Sequence, residues 1–118
     1  MDRDTLLNLA ARVEAAAAHE QHAILQTVAT RLGLYSSLFR LIDGHAFLDA
    51  AASLVPAGWY WSLDFTQRPP YQNCGCASLF APGSGITPAD VSDVHAATPA
   101  LALTAAALRA RAEEARDE

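Results

Sequence analysis

Two cysteines separated by one glycine, Cys74-Gly75-Cys76, are the first residues of this chain whose type and spacing suggest chemistry. A thiolate pair serves zinc or redox work. Zinc sites, however, space their cysteines by two to four residues, and redox pairs follow Cys-x-x-Cys. Cysteines two apart on a strand share a face, so a metal site here needs His45 or His95 brought near. The reading the spacing favours is two small apolar side chains in a strand. His19-Glu20-Gln21-His22 sets two histidines three apart, facing one way on a helix, but the metalloprotease signature is His-Glu-x-x-His. That run reads as a solvated helix face or turn. Gly83-Ser84-Gly85 lacks the strand-to-helix setting of a phosphate cradle, and no P-loop, dinucleotide fingerprint or nucleophile elbow is present. The expectation is a non-enzyme with no catalytic residue, no metal and no cofactor.

Aromatic residues offer a different chemistry. Trp59, Tyr60, Trp61 and Tyr71 serve either as core or as a stacking or docking platform. Alternation separates them: Trp59, Trp61, Leu63 and Phe65 fall on one apolar face, and Tyr60, Ser62, Asp64 and Thr66 on the other. Burying two indoles and a phenyl ring stabilises by about 2 kcal/mol each, which assigns the first face to the core. If no helix covers the second face, Tyr60 and Asp64 are exposed. Together with Arg68 and Tyr71 they are the candidate protein-binding residues.

These residues need elements to position them, and the C-terminal one is the most legible. His95–Glu114 reads as a long helix with Thr98 as N-cap and Pro99 at the first helical position. Leu101, Ala105, Leu108 and Ala112 make one face, widened by Leu103 and Ala107, and the alanines leave a thin surface that lets a sheet lie close. Upstream, residues 4–18 form a helix capped by Asp2 or Asp4, and residues 21–32 a second one closed by Gly33. A break near His19–His22 and one continuous helix are both compatible with the pattern. Leu34–Ile42 is a short strand or an irregular lead, since so short an apolar run has no decisive period. Asp43 then caps a helix from His45 to Leu54, ended by Pro56-Ala57-Gly58. Strands follow at Trp59–Thr66 and Tyr71–Phe80, antiparallel across the Arg68-Pro69-Pro70 loop, with Gly75 marking a bulge or a close backbone approach. Thr87 starts a helix of one or two turns at most. The sum is a single α+β domain over residues 1–118. It has a helical part at 1–33 and a sheet-and-helix core at 34–118, in which a small antiparallel sheet packs against the C-terminal helix and further N-terminal helices as a layered sandwich.

Composition narrows the function. All eight basic residues are arginine and the formal charge is −5, so direct nucleic-acid binding, which needs a basic footprint, is disfavoured. No apolar run reaches membrane-spanning length, and Met1-Asp2-Arg3-Asp4 lacks the start of a signal peptide. The expected location is the host cell cytoplasm, with both cysteines reduced.

Leu48–Trp59, LDAAASLVPAGW, followed by Ala96–Leu103, AATPALAL, and Ala106–Ala110, AALRA, resembles small phage and prophage proteins grouped as the phage ABA-sandwich domain. Thr104 stands where such proteins often carry Cys, and Pro82–Val94 has no counterpart in the resemblance. The resemblance implies a layered sheet-and-helix fold and a phage or prophage origin; it carries over no catalytic residue. The function expected is that of a non-catalytic accessory protein that binds a host or phage protein. Its sharpest form is inhibition of a host defence complex such as CRISPR–Cas. The alternative is a nucleic-acid-associated regulator or packaging accessory protein. A homo-oligomer stays open.

Overall fold

The computed structural model describes residues 1–66, 74–83 and 91–116. Its elements in order are α1 (Arg3–Ala15), a 3-10 turn (Ala18–Glu20), α2 (Gln21–Arg31), α3 (Tyr35–Asp43), α4 (Phe47–Leu54), β1 (Tyr60–Thr66), β2 (Cys74–Phe80), β3 (Val91–Ala96) and α5 (Pro99–Arg116). The fold is α+β: a three-stranded antiparallel sheet, order β1-β2-β3, packed on α5, with the N-terminal helices behind it. None of the described helices is long and apolar enough to cross a membrane.

The start of α5 is built as its residues require. Leu101 N donates to Thr98 Oγ1 at 3.1 Å, and Thr98 Oγ1 donates to Gln21 Oε1 at 2.7 Å, so the cap also ties α5 to the head of α2. The helix begins at Pro99, not at His95. His95 and Ala96 instead end β3, a third strand hidden because its alternation runs into an alanine-rich segment. Within α5, Ala100–Leu108, Ala110 and Ala112 are all buried. An apolar surface on every side belongs to a helix covered on every side: the sheet lies on one flank, α1 and α4 on the other. Thr104 is fully enclosed there, and its hydroxyl is satisfied by donating to Ala100 O at 2.8 Å.

Ala77 and Leu79 of β2 and Val91, Val94 and Ala96 of β3 form the sheet's buried face. α5 therefore lies over β2 and β3, and touches β1 only at the margin. This corrects the expectation that both indoles are roofed by the helix. Trp59 and Leu63 are half-buried against the core, whereas Trp61 is 42 % exposed. β1 is an outer strand, and one helix width does not reach across three strands.

Gly75 marks a close approach rather than a bulge, because it pairs in register with Phe65 and Ala96. A Cβ on it would lie 2.5 Å from Pro99 N and 2.7 Å from Thr98 C, both backbone atoms. The central strand thus lies directly beneath the first turn of α5, and only glycine leaves that space open.

The helical half departs from expectation at its joints. α1 is capped by Asp2, whose Oδ1 accepts from Thr5 N at 2.8 Å, but it stops at Ala15 where Ala16 and Ala17 turn extended. The break precedes His19 and is made locally, although alanine itself favours helix: Ala17 N donates to Glu20 Oε1 at 2.8 Å and Glu20 N donates to Ala17 O at 2.9 Å, which starts the 3-10 turn. α2 closes as expected on Gly33, at φ +73°, with Leu34 N donating to Ala29 O at 2.7 Å. Leu34–Ile42 is neither strand nor irregular lead: it becomes α3, with Leu38 and Ile42 buried. Asp43 ends that helix instead of capping the next. The same closure recurs there with His45 in the left-handed position, φ +63°, and Ala46 N donating to Leu41 O at 2.7 Å.

Two outcomes follow. Gly75→Ala is expected to cost about 3 kcal/mol or more of stability, read by urea unfolding, because backbone must move on both sides. The backbone and side-chain bonds from Thr5 hold the Asp2 carboxyl below its ordinary value. Its stabilisation of α1 is then complete above the unfolded-state value and fades as pH falls through the lower folded one. Asp2→Asn should flatten that acid limb of the unfolding midpoint against pH.

Candidate functional site

The β-register assembles the candidate face. Tyr60 stands opposite Phe80, Ser62 opposite Ser78, and Asp64 opposite Cys76, which in turn stands opposite His95. Because side chains alternate along a strand, all of these lie on the side turned away from α5. Tyr60 is 72 % exposed, and Ser62 and Asp64 are exposed with it. No described helix therefore covers the β1 part of this face. Cys76, Ser78, Phe80 and His95 are half-buried between their neighbours.

Asp93 is the polar centre of the β3 side. Two residues of β3, Ser92 and Asp93, oppose the single Ser78, which is a bulge, and Asp93 sits at φ +52°. Asp93 N donates to Ser78 Oγ at 3.0 Å, Cys76 Sγ donates to Asp93 Oδ1 at 3.8 Å, and His95 Nδ1 donates to Asp93 O at 2.9 Å. A carbonyl only accepts, so in the neutral ring the proton is on Nδ1 and Nε2 is left as an acceptor.

The structure thus brings His95 opposite Cys76, the arrangement a metal reading of the cysteines needs. Cys74 shares their face by register, and its side chain lies outside the described residues. Among the described residues, no group of three or more His, Cys, Asp or Glu converges to hold a metal ion. His45 is elsewhere, at the α3–α4 joint. Its ring stacks on Phe47 with centroids 5.2 Å apart and lies 5.7 Å from the His22 ring, while His22 Nε2 is 3.1 Å from Asp43 Oδ1. His19 belongs to the 3-10 turn and His22 to α2, so the two do not share one helix face.

Of the expected binding residues, Tyr60 and Asp64 are exposed, and Arg68 and Tyr71 lie outside the described residues, as does Thr87. Trp61, expected in the core, projects at the β1 edge. Trp59 stays half-buried, its Nε1 donating to Glu114 Oε2 at 3.2 Å. Phe80 and Asp93 are additions that pairing reveals, and His95, considered above only as a metal ligand, joins them. The alternation of Val94 and Ala96 about His95 is the signal for the β3 residues, and the bulge interrupts it one residue earlier.

A cleft of about 630 Å³ runs between α1, α5 and β3; Arg3 and Leu7 line it, and it reaches Asp93 and His95 of the candidate face. Across it Arg109 Nε donates to Glu14 Oε2 at 2.8 Å, an ion pair that ties α1 to α5.

Comparison with protein-family models, curated proteins and solved structures gives no match.

The two sides of the sheet should respond differently to truncation. Tyr60→Ser is expected to change stability by no more than about 0.5 kcal/mol, whereas Leu79→Ala, at a fully buried site of the same sheet, should cost about 2–5 kcal/mol. Urea unfolding of the two variants checks the contrast.

Proposed function

We propose that this chain is a non-catalytic accessory protein of phage or prophage origin that works by binding a host or phage protein through the open sheet face. The observation that carries the reading is Tyr60, 72 % exposed beside Asp64 on a face that no described helix covers. A large exposed aromatic is the residue type that anchors protein interfaces, and Phe80 opposite it supplies an apolar neighbour. Cys76 and His95 stand opposite each other, and the thiol donates to the Asp93 carboxylate, so both belong to the polar part of this face.

Charge selects the kind of partner. Asp64 and Asp93 stand on this face, and the whole chain carries −5. Such a surface complements a basic one and repels phosphate, which sets the nucleic-acid-associated reading second. Host defence complexes that hold a guide–target duplex do so in a positively charged channel. Inhibition of a CRISPR–Cas complex is the sharpest form of the proposal.

The test pairs interference with binding. In cells carrying an active CRISPR–Cas system, expression of the chain should restore plating of a targeted phage, and the purified chain should co-elute with the effector at fixed stoichiometry. Tyr60→Ser and Asp64→Arg, with unchanged circular dichroism, should each weaken that complex about 30-fold, the effect of a hot-spot residue. A folded wild-type chain that recovers no stoichiometric partner from its host, or variants that bind as well as wild type, overturns the reading.

A further inference from the structure

We propose that two copies of this chain pair through their β1 edges, joining the two sheets into one six-stranded antiparallel sheet around a two-fold axis at Leu63. This does not rest on the reading of the outer face. It rests on the contrast between the two edges of the sheet.

β3 is a guarded edge. It carries the Ser92–Asp93 bulge and a left-handed Asp93, which bend a strand away from regular pairing. β1 has no such device. Its seven residues pair with β2 without a register shift, from Tyr60–Phe80 to Thr66–Cys74. They include no lysine, proline or glycine, and their single charge is Asp64. The far side of β1 faces no other strand among the described residues. A regular outer strand is a template for another strand, and the backbone groups along it gain partners when one arrives.

The sequence of β1 selects a second copy as that strand. Antiparallel pairing about Leu63 sets Leu63 opposite its own mate, Ser62 opposite the mate of Asp64, Trp61 opposite the mate of Phe65, and Tyr60 opposite the mate of Thr66. In every pair both residues come from the same side of the sheet, so apolar residues meet apolar and polar meet polar. Neither aspartate faces an aspartate, whereas centring one residue further on would set the two Asp64 carboxylates against each other. An isologous interface of this kind closes as a dimer and leaves no strand end to propagate. It also accounts for Trp61, which is 42 % exposed at the margin of α5's cover. The outer faces of the two copies become continuous, with two Tyr60 side chains on one surface.

Sedimentation equilibrium of the full chain over a concentration series tests the pairing. The wild type should populate a dimer. Ser62→Arg places a cation opposite the mate of Asp64 twice in each dimer, and should tighten it roughly 2- to 30-fold; Ser62→Asp places a like charge there and should weaken it by a similar factor. Both substitutions are at an exposed position, and circular dichroism verifies the fold. A wild-type chain that remains monomeric at millimolar concentration overturns the proposal. So does a dimer whose dissociation constant is the same with Arg and with Asp at this position.

Discussion

The close approach of a sheet to an alanine-built helix is the constraint on which this structure depends. α5 is enclosed on both flanks, and its small side chains set how near the strands and the other helices can come. Gly75 completes that fit from below, since the central strand runs directly beneath the first turn of α5. Packing of this kind gains dispersion energy over many small contacts and tolerates no added methyl group. The polar ties are placed at its margins. Thr98 links the helix to Gln21, Arg109 to Glu14, and Arg111 Nε to the carbonyl of Leu54, an acceptor at the end of α4 that has no partner within its own helix.

Enclosing α5 has a consequence for the sheet. One helix spans two strands, so β2 and β3 lie under it and β1 is left at the margin. Everything that reads as functional gathers there or on the side the helix does not touch. Tyr60 and Asp64 face outward, Trp61 projects at the edge, and Asp93 orders the β3 side through bonds to Ser78, Cys76 and His95. The same geometry that makes a rigid core thus leaves an open, mildly acidic surface. Rigid backing is what lets a few exposed aromatics act as an interface, because little order has to be imposed when a partner arrives.

The two edges of the sheet also divide their roles. β3 is shaped by a bulge, and β1 is regular. A folded protein that leaves one edge plain while bending the other treats them as different surfaces. The polar centre at Asp93 and the aromatic margin at Tyr60 and Trp61 therefore lie toward opposite edges of one sheet.

Much of this was legible in the residues themselves. Thr98-Pro99 determines where α5 begins, Gly33 where α2 closes, and the alternation from Trp59 to Thr66 which residues share a face, because each depends on local dihedral preferences or on the strand period alone. Gly75 was readable as a place where backbone approaches backbone. What only the tertiary structure decided depends on neighbours distant in sequence. Leu34–Ile42 becomes helical because Leu38 and Ile42 find a core, and β3 exists because β2 is there to pair with it. Trp61 is the plainest case: its alternation places it on the apolar face, but whether that face is covered at β1 depends on how far α5 reaches across the sheet, a distance no local pattern contains.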